Sequence, residues 1–174
     1  MKFKYLIIIC LITFTNYGIS QTNQDLNCKN TTVRLHGIPL GISVEQKIKW
    51  NLTLVFDTGI GYTSRGRDDG YYVARTHYKP YINLESRLYS NLLKRKADEK
   101  RTDNFSGAYG AIIIQVGHTP SFGQYYLKTG PMLGIQRTIG KKWYWNIAAG
   151  VGATYFQTFS LTGFLGDINF GIIL

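Results

Sequence analysis

Few side chains in this sequence have the type and spacing that chemistry requires. His36, His77 and His118 lie tens of residues apart and lack the close spacing of a metal-ligand pair, so the sequence treats them as surface or interfacial histidines. Asp68-Asp69-Gly70 has the look of a calcium loop, but no further carboxylates follow at the required positions, and a polar turn is the better account. Ser, His and Glu are all present, yet no nucleophile-elbow motif organises them into a lipid-hydrolase triad. The residues assign no catalytic group, no cofactor and no metal.

One set of charges does stand out. Glu45, Asp57, Glu85, Arg87, Lys128 and Asp167 are of mixed sign and fall on the same face of their respective segments. If that face points inward, they must pair with one another, because a buried carboxylate without a partner costs several kcal/mol. A proton or ion path is the functional alternative. The structural reading, an internal network of ion pairs and hydrogen bonds, is favoured because a small barrel is filled by its own side chains.

Two basic clusters remain. Lys94 to Arg101 (KRKADEKR) resembles a nucleic-acid patch, but no aromatic residues interleave with its charges and an export signal precedes it, so a solvated loop is expected and nucleic acid is excluded as a partner. Arg65, Arg67, Arg75 and Lys79 surround a loop; on an outer membrane surface their donors would meet lipopolysaccharide phosphates.

The elements that must position these residues are strands. Period-2 alternation is clearest in Trp50–Tyr62 and Trp143–Tyr155. In the first, Leu52, Leu54, Phe56 and Ile60 share a face with Trp50 and Tyr62, opposite Thr53, Asp57 and Gly59. In the second, Trp143, Trp145, Ile147, Val151 and Tyr155 oppose Tyr144, Asn146, Ala148 and Gly150. Each apolar face is aliphatic in its middle and aromatic at its ends, the pattern of a lipid-facing strand with interfacial aromatics Trp50, Tyr62, Trp143, Trp145 and Tyr155. The pattern predicts strands near 38–47, 50–62, 78–90, 106–118, 126–138, 143–157 and 164–174. An even count adds an eighth at 29–36. Lys47-Ile48-Lys49 and Gly140-Lys141-Lys142 read as tight turns on the periplasmic side, and 91–105 as a long connection there, with a short amphipathic helix through Leu92, Leu93 and Ala97.

The face opposite the aliphatics is rich in Gly, Asn, Thr, Ser and Ala. That suits a narrow interior better than a hydrated surface, which would carry Lys, Glu and Asp. The fold class is therefore an all-β, antiparallel up-and-down transmembrane barrel of about eight strands with a filled interior. Residues 1–20 read as a cleavable export signal: Lys2 and Lys4, an apolar run from Tyr5 to Thr13, then Gly18-Ile19-Ser20. The barrel domain occupies 21–174. Loss of the signal would lower the formal charge from +10 by its two lysines and remove Cys10, leaving Cys28 without an intramolecular partner.

Within this frame, Asn83 to Ala111 (NLESRLYSNLLKRKADEKRTDNFSGAYGA) resembles outer-membrane β-barrel domain proteins of the Bacteroidota. The resemblance rests on Glu85, Arg87, Tyr89, Asn91, Leu92, Lys94, Arg95, Asn104, Ser106, Gly107 and Tyr109. It also rests on Gly134-Ile135-Gln136-Arg137 with Ile139-Gly140, and covers about 35–174. It implies an outer-membrane location and contact with membrane lipid and lipopolysaccharide. It further implies insertion by the barrel-assembly machinery, which would read Phe170, Ile172 and Leu174 as an assembly signal, with Leu174 where a terminal aromatic is usual. It implies nothing catalytic. A non-enzymatic structural or surface-interaction role is the first expectation. A secreted soluble barrel binding a small apolar ligand is the second, and a lipid-modifying barrel enzyme the third.

Overall fold

The computed structural model describes residues 30–63, 66–68, 71–73, 77–120, 123–156, 159–161 and 163–174. The export signal read at 1–20, with Cys10 and Cys28, lies outside the described residues.

Alternating apolar and small polar residues leave each segment with two dissimilar faces, and strands that pair side by side can collect the like faces together. The strands are β1 (Thr31–Ile38), β2 (Leu40–Lys47), β3 (Leu52–Thr63), β4 (Gly66–Asp68), β5 (Tyr71–Val73) and β6 (His77–Tyr89). They continue with β7 (Ala108–Thr119), β8 (Gln124–Ile139), β9 (Trp143–Gly150), β10 (Ala153–Tyr155), β11 (Phe159–Leu161) and β12 (Leu165–Ile173). Eight of them, β1, β2, β3, β6, β7, β8, β9 and β12, pair antiparallel in chain order. The ring closes where β12 meets β1, with Arg34 opposite Ile173 and Leu35 opposite Ile172. Closure removes the open edges that would otherwise present unpaired backbone groups. The eighth strand expected at 29–36 is β1, which runs on to Ile38.

The remaining short strands lengthen two connections at one end. β4 and β5 pair antiparallel in the connection between β3 and β6. β10 and β11 extend the β9–β12 hairpin, and β10 stays on β8 in the register of β9. The predicted continuous strand 143–157 is thus broken at Val151 and Gly152. These residues lie opposite Pro131 and Gly130, and Pro131 has no N–H to contribute to the ladder. The other end has the tight turns at 48–51 and 140–142 and the segment 90–107.

Burial follows the alternation. Along β6, Tyr81, Asn83, Glu85, Arg87 and Tyr89 are buried, whereas Ile82, Leu84, Ser86 and Leu88 are exposed. The outward face is a belt of large apolar side chains, including Ile112 at 61%, Ile168 at 64% and Leu133 at 75% exposure. The inward face holds Glu45 at 0% and Arg34 at 1%. Polar groups are therefore inside and aliphatic groups outside. Among the described residues no helix is long and apolar enough to cross a membrane.

Two glycines show how the inside is filled. Gly134 and Gly117 lie directly opposite Tyr109 and Tyr126 on neighbouring strands. A Cβ at Gly134 would sit 2.4 Å from the Tyr109 ring, and one at Gly117 would sit 2.3 Å from the Tyr126 ring. The missing side chains let both tyrosines lie flat across the sheet.

Candidate functional site: the buried polar core and its end cap

Glu45, on the inward face of β2, is the centre of the core. Its carboxylate accepts from Arg34 at 2.6 Å, from Thr53 Oγ1 at 2.6 Å and from Tyr89 at 2.8 Å. It also accepts from Gln136 Nε2 at 3.3 Å, and Arg87 lies 4.0 Å away. Arg87 in turn donates to Glu85 at 2.6 Å and to Gln136 Oε1 at 2.9 Å. Its guanidinium rests 4.5 Å from the centre of the Tyr109 ring. Asn83 completes this side by donating to Glu85 at 2.6 Å.

A second knot lies nearer the long-loop end. His36 Nε2 meets Asp57 Oδ1 at 2.9 Å, and Nδ1 meets the Pro39 carbonyl at 2.7 Å. Both partners offer oxygens, so a doubly protonated ring would donate from both nitrogens and form an ion pair with Asp57. Tyr81 donates to the other Asp57 oxygen at 3.3 Å. A third knot forms around Asp167, which accepts from Asn146 at 3.0 Å and Asn169 at 2.6 Å; Tyr109 donates to Asn146 at 2.7 Å. Glu45 is paired with Arg34, Asp57 with His36 and Glu85 with Arg87, whereas Asp167 accepts from two amides.

The structure thus places all six charges that the sequence assigned to the interior on the inward face. Glu45, Glu85 and Arg87 share one knot, while Asp57 and Asp167 belong to separate ones. Lys128 is half-buried over the Tyr126 ring at 5.1 Å and makes no ion pair among the described residues. With Asn83, Glu85, Gln115 and Asp167 it lines a cavity of about 100 Å³. His36 corrects the sequence reading: it is an interior residue, 2% exposed, not a surface histidine. Nothing in a lone histidine signals this. The alternation of Thr32, Arg34 and His36 against Val33 and Leu35 is the signal that could have found it, and Arg34 with it.

The connection between β6 and β7 covers the tight-turn end. Helix α1 (Leu92–Ala97) and a single 3-10 turn (Asp103–Phe105) fold back over the opening. Leu92 and Phe105 are fully buried, with Phe105 stacked 5.8 Å from Tyr89. The Asn104 carbonyl accepts from Arg34 of β1 at 3.2 Å and from Gln136 of β8 at 3.0 Å. Because β12 and β9 separate those two strands, the segment lies across the barrel. Thr138 and Ser106 fasten it through a backbone bond of 2.8 Å and a hydroxyl bond of 3.0 Å. This explains the length of 91–105, and α1 is the short helix anticipated there. The run Lys94–Arg101 lies on its exposed side. Asp103, hydrogen-bonded to Arg101, raises the guanidinium pKa further.

The aromatics expected at membrane interfaces divide between the ends. Trp50, Trp143 and Trp145 lie at the tight-turn end, all at least partly exposed. Tyr155 is exposed at the other end, and the Tyr62 side chain lies outside the described residues. Of the proposed lipopolysaccharide contacts, Lys79 is half-buried on β6; Arg65, Arg75 and the Arg67 side chain lie outside the described residues. Asp69 and Gly70 do so too. Phe170 on β12 and Leu174 just beyond it are exposed, and Ile172 is half-buried.

The core's charged and amide side chains are held by one another. Both nitrogens of His36 are taken by Asp57 and Pro39, leaving none to activate a hydroxyl. Among the described residues no group of three or more His, Cys, Asp or Glu is arranged to hold a metal ion. No protein-family model matches the chain, and no curated protein or solved structure matches it either.

Proposed function

We propose that this chain is a non-enzymatic integral outer-membrane β-barrel whose role is structural or surface-interacting. The observation that carries the reading is the inverted distribution of polarity: charges and amides inside, a continuous aliphatic belt outside. A water-soluble barrel has no use for such a belt, because exposed apolar patches beyond a few hundred Å² mark a surface that meets lipid or another protein. A twelve-residue strand tilted near 40° spans about 30 Å along the barrel axis, enough for the apolar band of about 25 Å in such proteins. The resemblance of Asn83–Ala111 to Bacteroidota outer-membrane barrels agrees with this location.

The interior supports a scaffold over a pore. Arg34 with Glu45 and His36 with Asp57 are paired across strands, Arg87 with Glu85 along one strand, and the 90–107 segment lies over one end. Interaction functions then fall to the two ends, and lipopolysaccharide phosphates are the proposed partner of Arg65, Arg67, Arg75 and Lys79. Against the soluble-carrier alternative, the cavity near Asp167 is lined mainly by polar side chains, a poor fit for an apolar ligand.

The test is extraction. Membranes from expressing cells should retain the protein after washing with alkaline carbonate and urea, and release it only with detergent. Release by the wash alone would contradict the proposal.

A further inference from the structure

The tight-turn end is far more basic than the rest of the surface. Residues 47–51, 90–107 and 137–142 contain ten Lys and Arg against three Asp and Glu. Two of the acids are already engaged, Asp98 by Lys100 at 3.0 Å and Asp103 by Arg101. Among the described residues, Arg137, Lys141 and Lys142 make no ion pair. The same end carries every tryptophan in the chain. Coincidence of indoles and unneutralised cations is the chemistry of a lipid headgroup layer, where aromatic rings seat at the interface and cations reach phosphates.

The pieces come together beside the β8–β9 turn. Arg137 is directly opposite Trp145, and Ile139 is opposite Trp143, all on the outward-facing side of the sheet. Trp143 stacks on Phe170 with ring centres 5.4 Å apart, which holds the indole against the barrel wall. The Arg137 guanidinium donates to the Gln136 carbonyl at 3.1 Å, leaving most of its donors available. Lys141 and Lys142 are exposed in the turn itself. Arg101, bonded to the Gly140 carbonyl, ties the capping segment to that turn and keeps further positive charge beside it.

Resting on the membrane reading above, we infer that Arg137, Lys141 and Lys142, flanked by Trp143 and Trp145, form a binding site for the phosphodiester headgroup of an anionic phospholipid in the leaflet at the tight-turn end. Arg137 supplies forked donors to the phosphate oxygens and the two lysines supply point charge. The indoles fix the depth of the site.

The full barrel is reconstituted into phosphatidylcholine vesicles with and without phosphatidylglycerol, insertion being scored by heat-modifiable gel migration. Thermal unfolding is followed by tryptophan fluorescence, which reports from the site itself. Phosphatidylglycerol should raise Tm by roughly 5 °C. The variant R137Q/K141Q/K142Q should lose most of that gain, whereas the charge-retaining R137K/K141R/K142R should keep most of it. A gain that is equal in wild type and the Gln variant overturns the headgroup site while leaving the barrel reading intact. Inorganic phosphate reproducing the gain in phosphatidylcholine alone also overturns it, in favour of a free-anion site. Failure to insert into either vesicle overturns the membrane reading and this inference with it.

Discussion

Arg34 and Glu45 meet at 2.6 Å between the first two strands, with side chains 2% and 0% exposed, and the Asn104 carbonyl of the end cap bonds the same guanidinium. The pair therefore joins the closure strand, its neighbour and the capping segment at one point. Removing one member leaves the other charged and buried without the opposite charge beside it. Glu45→Ala should cost about 3–5 kcal/mol of stability, and replacing both by apolar residues, Arg34→Met with Glu45→Leu, should cost clearly less. Urea unfolding in detergent or vesicles measures both; a loss below about 1 kcal/mol for the single variant would show that Glu45 is not the keystone.

The belt makes an opposite demand. Leu84 and Ile114 are paired on neighbouring strands and are both outward and exposed. On a water-facing surface Leu84→Arg would be close to neutral. In a bilayer it should cost about 2–4 kcal/mol at mid-depth, less toward either end. Comparing unfolding in vesicles for Leu84→Arg and for an arginine placed at Leu40, close to a strand end, checks the depth dependence. Equal and negligible losses would mean that the belt does not meet lipid.

The cap depends on one aromatic side chain. Phe105 is completely buried against Tyr89, at a positive φ of 59°. Phe105→Ala should destabilise by about 3–5 kcal/mol and loosen the segment from the barrel. Brief trypsin treatment should then cut within Lys94–Arg101 much faster than in the wild type. Unchanged cleavage would show that Ser106 and Thr138 hold the cap without Phe105.

Tyr109 lies over Gly134 and also faces the Arg87 guanidinium, so a methyl group at 134 has nowhere to go. Gly134→Ala should cost about 1–3 kcal/mol through overpacking, and Gly37→Ala, where nothing lies within 4 Å, should be tolerated. Thermal unfolding of the two variants makes the comparison, and similar effects would refute the packing argument.

What the sequence revealed, and what it hid, follows from the physics of alternation. Along Leu52–Thr63 and Trp143–Gly150 the two faces differ so sharply that both strands and their inward residues were legible. Asp57 is legible this way, and Glu85 and Arg87 through the weaker alternation of 78–90. Arg34 and His36 were missed because KNTTVRLH is short and its apolar face is small. Gln136 lay on a recognised polar face, but an amide reveals nothing of its partners until β2 and β6 are brought beside it. The Asn104 carbonyl was beyond reach, since backbone acceptors carry no side-chain signature. The break at Val151–Gly152 came from Pro131 on the adjacent strand, and a single strand cannot report on its neighbour.

The central claim is that this barrel resides in a membrane with its polar face inward. Outer and inner membranes of expressing cells should be separated, and boiled and unboiled samples run side by side on a denaturing gel. The account predicts a band in the outer-membrane fraction whose migration changes on heating, because a closed eight-stranded ladder resists detergent until it is melted. A soluble band in the periplasm or medium, migrating identically before and after boiling, would contradict it.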